Sequence, residues 1–235
     1  MKNISILSFL ILILAGTSCT KDFDKINENP NAPENVAPQF LLSNILWEAA
    51  DGNAQQGWLA GNMLPQHTSN IEFQPVDRYD MGSNSAYWNL LYRLLNDINS
   101  MNDAQGTNEA YKAVGQIMKA WIGSQLTDLW GPVPFSQAIQ GQSQGNFTPA
   151  YDTQEDVYTA DGGILDLLKI AVATLENTNA TIQGDIMFSG DFDQWIRFAN
   201  SLQVRYLVRI SDKQNVGADL QALVDGGKLM MGNQG

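Results

Sequence analysis

The sequence predicts an all-α fold of stacked helical hairpins with some long loops. Three observations predict it. Apolar residues recur at i, i+3, i+4 and i+7 over most of the chain, no segment alternates apolar and polar residues as a half-buried strand does, and short turn-forming stretches separate the best-defined stripes. The chain has 235 residues, 44% of them hydrophobic and 16% charged, a globular composition with room for one or two domains of about 100–200 residues.

The elements follow in order. Lys2 precedes an apolar run over residues 4–14, too short to span a membrane, which takes about 20 residues, but suited to the core of a secretory signal. Ala15, Gly16, Thr17 and Ser18 then lead to Cys19, the only cysteine. Residues 1–18 are therefore read as a signal peptide and 19–36 as a tether, charged and rich in turn formers such as Asn29, Pro30 and Pro33. The helical domain is expected over 37–235. Phe40, Leu41, Ile45, Leu46 and Ala49 predict a first helix after Pro38; Trp58, Leu59, Met63 and Leu64 predict a second, broken at Pro65. Residues 66–84 hold no period and read as a long loop, a kind that is usually functional.

Tyr87, Leu91, Leu94, Leu95, Ile98 and Met101 form the next stripe, with Ser83 or Ser85 as its N-cap. Ala110, Val114, Ile117, Met118, Trp121 and Leu129 form another, and the short stretch between the two predicts an antiparallel hairpin. Later stripes run through Ile164, Leu168 and Leu175, and through Trp195, Phe198, Leu202 and Tyr206, the latter opened by Asp191 as N-cap. A last segment at Leu220, Leu223 and Val224 stops at Gly226 and Gly227 with no polar capping helix. Helix pairs with short turns suggest a tetratricopeptide-like stack.

The net charge of −12 disfavours a phosphate backbone as partner, so no nucleic acid is expected. One His and one Cys leave no intrachain disulfide and no His-rich or Cys-rich zinc site; no metal ligands and no cofactor are expected. Carboxylates such as Glu155, Asp156, Asp185, Asp191 and Asp193 read as solvated acids and helix caps. His67 has no nucleophile motif beside it, and no G-x-S-x-G, H-E-x-x-H or phosphate loop occurs. These absences disfavour an enzyme. Arg205 and Arg209, four apart, read as surface or ion-paired arginines.

A cysteine after a small-residue run resembles a bacterial lipoprotein signal, with Gly16 where that motif usually has Leu; the acidic stretch from Lys21 to Asp24 resembles the surface-export tag of Bacteroidetes lipoproteins. Further blocks resemble the SusD/RagB-like family of outer-membrane nutrient-binding lipoproteins. They are Asn29-Pro30-Asn31 near the mature start, Trp88-Asn89-Leu90-Leu91-Tyr92, Asp128-Leu129-Trp130-Gly131-Pro132-Val133-Pro134, the stretch from Tyr151 to Tyr158, and Gly190-Asp191-Phe192-Asp193-Gln194-Trp195. Members of that family are about twice this long, so the chain is expected to correspond to an N-terminal half.

The resemblance implies a non-catalytic lipoprotein, anchored through Cys19 in the outer membrane and exposed at the cell surface. It implies capture of oligosaccharide, or of peptide as in some relatives, and delivery to a TonB-dependent barrel. Family members place ligand-facing residues on variable loops. Because sugars lie flat on exposed rings with polar groups at the rim, the expected site residues are Phe73, Arg78, Tyr79, Asp80 and Tyr87. A secreted all-α glycoside hydrolase and a helical-repeat adaptor suit the same composition.

Overall fold

The computed structural model describes residues 36–72 and 74–232. The expected signal, Cys19, the tether up to residue 35 and Phe73 lie outside the described residues. The helices are α1 (Pro38–Gln56), α2 (Ser85–Asp103), α3 (Glu109–Trp130), α4 (Gly141–Gln144), α5 (Gln154–Thr159), α6 (Ile164–Asn177), α7 (Phe192–Ile210) and α8 (Gly217–Asp225). Among the described residues there is no strand; one antiparallel bridge joins Val133 to Asp152 through N–H···O bonds of 3.1 and 3.0 Å. The all-α expectation holds.

The stack runs α1, α2, α3, α6, α7, each helix packed on the next. Asn108 starts α3 by accepting from the Ala110 and Tyr111 N–H groups, Thr153 starts α5, and Asp191 starts α7 by accepting from Asp193 and Gln194. Such caps each contribute about 0.5–2 kcal/mol. Helix α3 lies in the middle and is buried on most sides, with Val114, Ile117, Ala120, Ile122 and Leu126 among its fully enclosed residues. Its partners pair polar groups across the core: the Ser124 and Tyr206 hydroxyls are 2.9 Å apart. Gly131, at φ +74°, ends α3 in a conformation open mainly to glycine, and Pro132 forbids continuation.

Three expectations are corrected. The stretch from Gly57 to Gly61 is a π-helical continuation of α1, so no separate second helix forms; nothing between Gln56 and Met63 breaks the chain of backbone bonds. The N-cap of α2 is Asn84, in the left-handed region, with Ser85 already helical. Phe40 faces solvent at 67% exposure, as does Trp47 one heptad on, because the core side of α1 is formed by Leu42, Ile45, Leu46 and Ala49.

The connection from α6 to α7 packs tightly against α1. Ser43 Oγ donates to the Gly184 carbonyl at 2.7 Å. Gly184 has φ +75°, and a Cβ built there would sit 2.0 Å from the Gln39 carbonyl oxygen. Asp185, considered above as a solvated acid, is buried instead. Its carboxylate accepts from the N–H groups of Met187, Phe188 and Gly190 and from the indole of Trp195 at 2.8 Å.

Candidate ligand-binding surface

The loop before α2 folds around its own polar groups. Asp77 accepts from the Asn70 N–H at 3.2 Å, which ties the first half of the loop to the second. A 3₁₀ turn, Val76–Arg78, ends at Tyr79, whose φ of +61° turns the chain back. That left-handed residue lifts its ring into solvent at 64% exposure, and the phenol accepts from Gln66 Nε2 at 3.3 Å. Asp80 Oδ1 accepts from the Gly82 N–H at 3.3 Å and holds the next bend. Arg78, Tyr79 and Asp80 are thus brought onto one exposed turn. Gln66, His67, Thr68, Ser69 and Asp77 border a cavity of about 370 Å³ beside it.

Tyr87 is placed elsewhere. It is 5% exposed, its ring stacks 6.4 Å from that of Trp130, and its hydroxyl points to Gln125 Oε1 at 3.5 Å. Burial pushes its phenol up to about 12. The expectation that Tyr87 belongs to the loop's exposed face is corrected: it sits on the apolar stripe of α2, and that stripe turns inward.

Two rings next to the loop that do reach a pocket are Trp88 and Trp130. In the α2–α3 hairpin the start of α2 lies against the end of α3, so these two indoles meet edge to face with centroids 5.1 Å apart. Tyr92 extends the set, 4.8 Å from Trp88. Met81, Gly82, Ser83, Asn84 and Ser85 form the rim of a pocket of about 470 Å³ over the two indoles, so the loop leads directly into it. Trp130 Nε1 donates to the Ser83 carbonyl at 3.4 Å, which pins the loop's end to α3. Both tryptophans stood in the sequence blocks quoted above. The signal that could have found them is the short α2–α3 connection, which forces the first turn of one helix beside the last turn of the other.

The surroundings are fixed by neutral or fully bonded groups. Tyr92 donates to the Pro134 carbonyl at 2.7 Å, and burial, with Tyr151 and Asp152 nearby, raises its phenol further above the usual value. Burial works to raise the Asp152 carboxyl, but bonds from the Ser136 N–H and hydroxyl and the Phe135 N–H outweigh it and leave the group below its ordinary range. A larger cavity of about 620 Å³ lies between α5 and α7, lined by Glu155, Tyr158, Arg209 and Lys213 among others. There Arg209 Nε and the Tyr158 hydroxyl both donate to Asp128 Oδ1 at 2.9 Å, so Arg209 is ion-paired. Tyr158, at 2% exposure, offers no ring face to a ligand. Among the described residues no cluster of His, Cys, Asp and Glu is placed to hold a metal, and no helix is long and apolar enough to cross a membrane.

The family model for SusD-like proteins, described as starch-binding and associating with the outer membrane, matches residues 30–234. Among solved structures the chain is similar to a SusD/RagB family protein from Bacteroides thetaiotaomicron VPI-5482, at 25% identity and a TM-score of 0.68 over 83% of this chain and 43% of that one. It is similar in fold to a SusD homolog from Bacteroides fragilis NCTC 9343, at 20% identity and a TM-score of 0.69 over 85% of this chain and 42% of that one. A chitin-binding SusD homolog from Flavobacterium johnsoniae shares the fold at 24% identity and a TM-score of 0.55, over 65% of this chain and 33% of that one. The chain thus spans less than half the length of these relatives. Comparison with curated proteins gave no match.

Proposed function

The chain belongs to the SusD-like family, and from that premise we propose that it is a non-catalytic binding protein that captures a neutral oligosaccharide at the Trp88–Trp130 pocket. The observation that supports this reading is two indoles at the base of a pocket whose rim is methionine, glycine, serine and asparagine. Sugar C–H faces lie on rings of this kind, and hydroxyls pair with amide and hydroxyl side chains. The pocket lining has no carboxylate, so the two acids of glycoside hydrolysis have no counterpart in it. Starch, in the family description, and chitin, bound by a relative, are both glycans without acidic groups.

In this reading Arg78, Tyr79 and Asp80 extend the rim, with Phe73 on the same loop, while Tyr87 supports Trp130 from below. The chain is a lipoprotein whose signal is residues 1–18, whose lipid is on Cys19 and whose tether, 19–36, leads to the helical domain, 37–235. Two or more acyl chains make such an anchor stable. The protein then works at the outer face of the outer membrane and passes its ligand to a TonB-dependent barrel. Support for these finer points comes from the run of small residues before Cys19 and from the family's association with the outer membrane.

Calorimetric titration with starch- and chitin-derived oligosaccharides tests the site. Trp130→Ala removes a stacking ring, and affinity should fall about tenfold, since an aromatic contact and its lost burial together come to roughly 1.4 kcal/mol. Equal affinity of both proteins would move the site elsewhere, and release of reducing ends would replace capture by hydrolysis. Cys19→Ser should shift the protein from the membrane fraction to the soluble one; continued membrane attachment would overturn the lipid anchor.

A further inference from the structure

The outer face of α2 continues past the two indoles. Ser85, Trp88, Asn89 and Tyr92 fall within one side of the helix, and Asn96, Asn99, Ser100 and Asp103 prolong the same side to its end. Around this second half a cavity of about 590 Å³ is bounded by Asn96, Asn99, Ser100 and Asp103 on α2, and by Ile139, Gly141, Gln142 and Ser143 at α4. It opens on the same face as the Trp88–Trp130 pocket, three helical turns or about 16 Å further on.

The two halves of this face differ in chemistry. The first has rings; the second has amides and hydroxyls, each able to donate and to accept. Several amides elsewhere are tied into the fold: Asn108 caps α3, Asn146 bonds to Gln137, and Asn200 bonds to the Lys228 carbonyl. The side chains of Asn96, Asn99, Ser100, Gln142 and Ser143 have no bond to another described residue. Apart from the Asp103 carboxylate at its far end, the lining of this cavity is uncharged, in a chain with 25 Asp and Glu. Its neighbouring charges are turned toward α1, where Arg93 pairs with Glu48 and Asp97 accepts from Asn44 at 3.3 Å.

Resting on the reading of the Trp88–Trp130 pocket as a glycan site, we propose that the Asn96–Asn99–Ser100 cavity is a second subsite for the same neutral glycan. Stacking at the indoles sets the position of the chain, and the amides then bond hydroxyls of sugars several units along. The ligand is accordingly a linear oligosaccharide long enough to reach from one cavity to the other, and a disaccharide fills only the first.

The test is a length series of linear malto- and chito-oligosaccharides, from disaccharide to octasaccharide, titrated into the full chain. Long members should bind about tenfold more tightly than the disaccharide, from two or more additional hydrogen bonds. In the double variant Asn96→Ala/Asn99→Ala that ratio of long to short should collapse toward one. Ser100→Trp, which fills the cavity with a ring, should collapse it too and guards against a misleading result from either variant alone; thermal melts establish that the variants fold. Binding of short and long members with one affinity in the unaltered chain would overturn the subsite and leave the indole pocket standing. A length-dependent gain that survives both variants would do the same. Failure of every member of the series to bind would remove the glycan reading and the subsite together.

Discussion

Two long connections of this molecule, residues 178–191 between α6 and α7 and residues 64–84 before α2, are held in opposite ways. In the first, a carboxylate only 8% exposed gathers three backbone N–H groups and an indole, and a Ser43 hydroxyl bonds its backbone from α1. In the second, the bonds lie at or near the surface: Asp77 to Asn70, Gln66 to Tyr79, Asp80 to Gly82. A buried acceptor makes a loop part of the core, since every donor it holds loses a partner if the loop opens. Surface bonds set a loop's shape while leaving its side chains to solvent, which suits a segment that meets ligands.

That contrast can be broken most directly at Asp185. Replacing Asp185 by Ala leaves buried donors without partners, and stability should fall by about 3–4 kcal/mol, read from denaturant midpoints. Asp185→Asn keeps one acceptor oxygen and should lose less; a loss below 1 kcal/mol, on the order of a surface substitution, for Asp185→Ala would erase the distinction between the two loops. Tyr79→Ala is the matching change in the other loop. It should cost glycan affinity about tenfold while altering stability by no more than about 0.5 kcal/mol. An unchanged affinity with a lowered melting temperature would make Tyr79 a strut and bring the two loops closer in kind.

The smallest effect concerns the Glu48–Arg93 pair, which joins α1 to α2 outside both loops. The hydrogen bond from Arg93, with its charge, outweighs desolvation and holds the Glu48 carboxyl below its usual value in the folded protein. The pair therefore contributes above the unfolded carboxylate range, and its contribution is lost as pH falls through the lowered folded value. Because Arg93 is half exposed and Glu48 still partly reaches solvent, the amount should be within about 0–1 kcal/mol, and Glu48→Gln should flatten the acid limb of a stability–pH curve only slightly. A large change would mean that surface charge, rather than burial, holds the helices in place.

Periodicity made the frame legible because it reports which side of a helix is apolar. Leu91, Leu94 and Ile98 are buried as their stripe requires, and Asp191 caps α7 as its place before an apolar run suggests. Periodicity also contained the correction at Tyr87, whose position on the Leu91 stripe weighed more than its closeness to the loop. Trp88, one residue on, lies off that stripe; its role depends on where Trp130 ends up, a tertiary fact that only the hairpin supplies. Phe40 and Trp47 show the limit in the other direction, since hydrophobicity alone does not say that a residue is covered. The part played by Asp185 depends on four donors close in sequence but arranged by a turn, which composition does not encode.

The contact at Gly184 bears on how this array comes apart. An array whose repeats touch only their neighbours can fray from one end, one repeat at a time. Here α1 leans on the connection that leads into α7, with no clearance for even one added carbon at Gly184. Peeling α1 away exposes the Gly184 carbonyl that Ser43 satisfies and loosens the turn that Asp185 holds. Helix α1 and the turn into α7 are thereby coupled, and opening of one should loosen the other. Amide hydrogen exchange at α1 and at α7 should then report a single opening free energy. Two well-separated values would show that the first hairpin melts on its own.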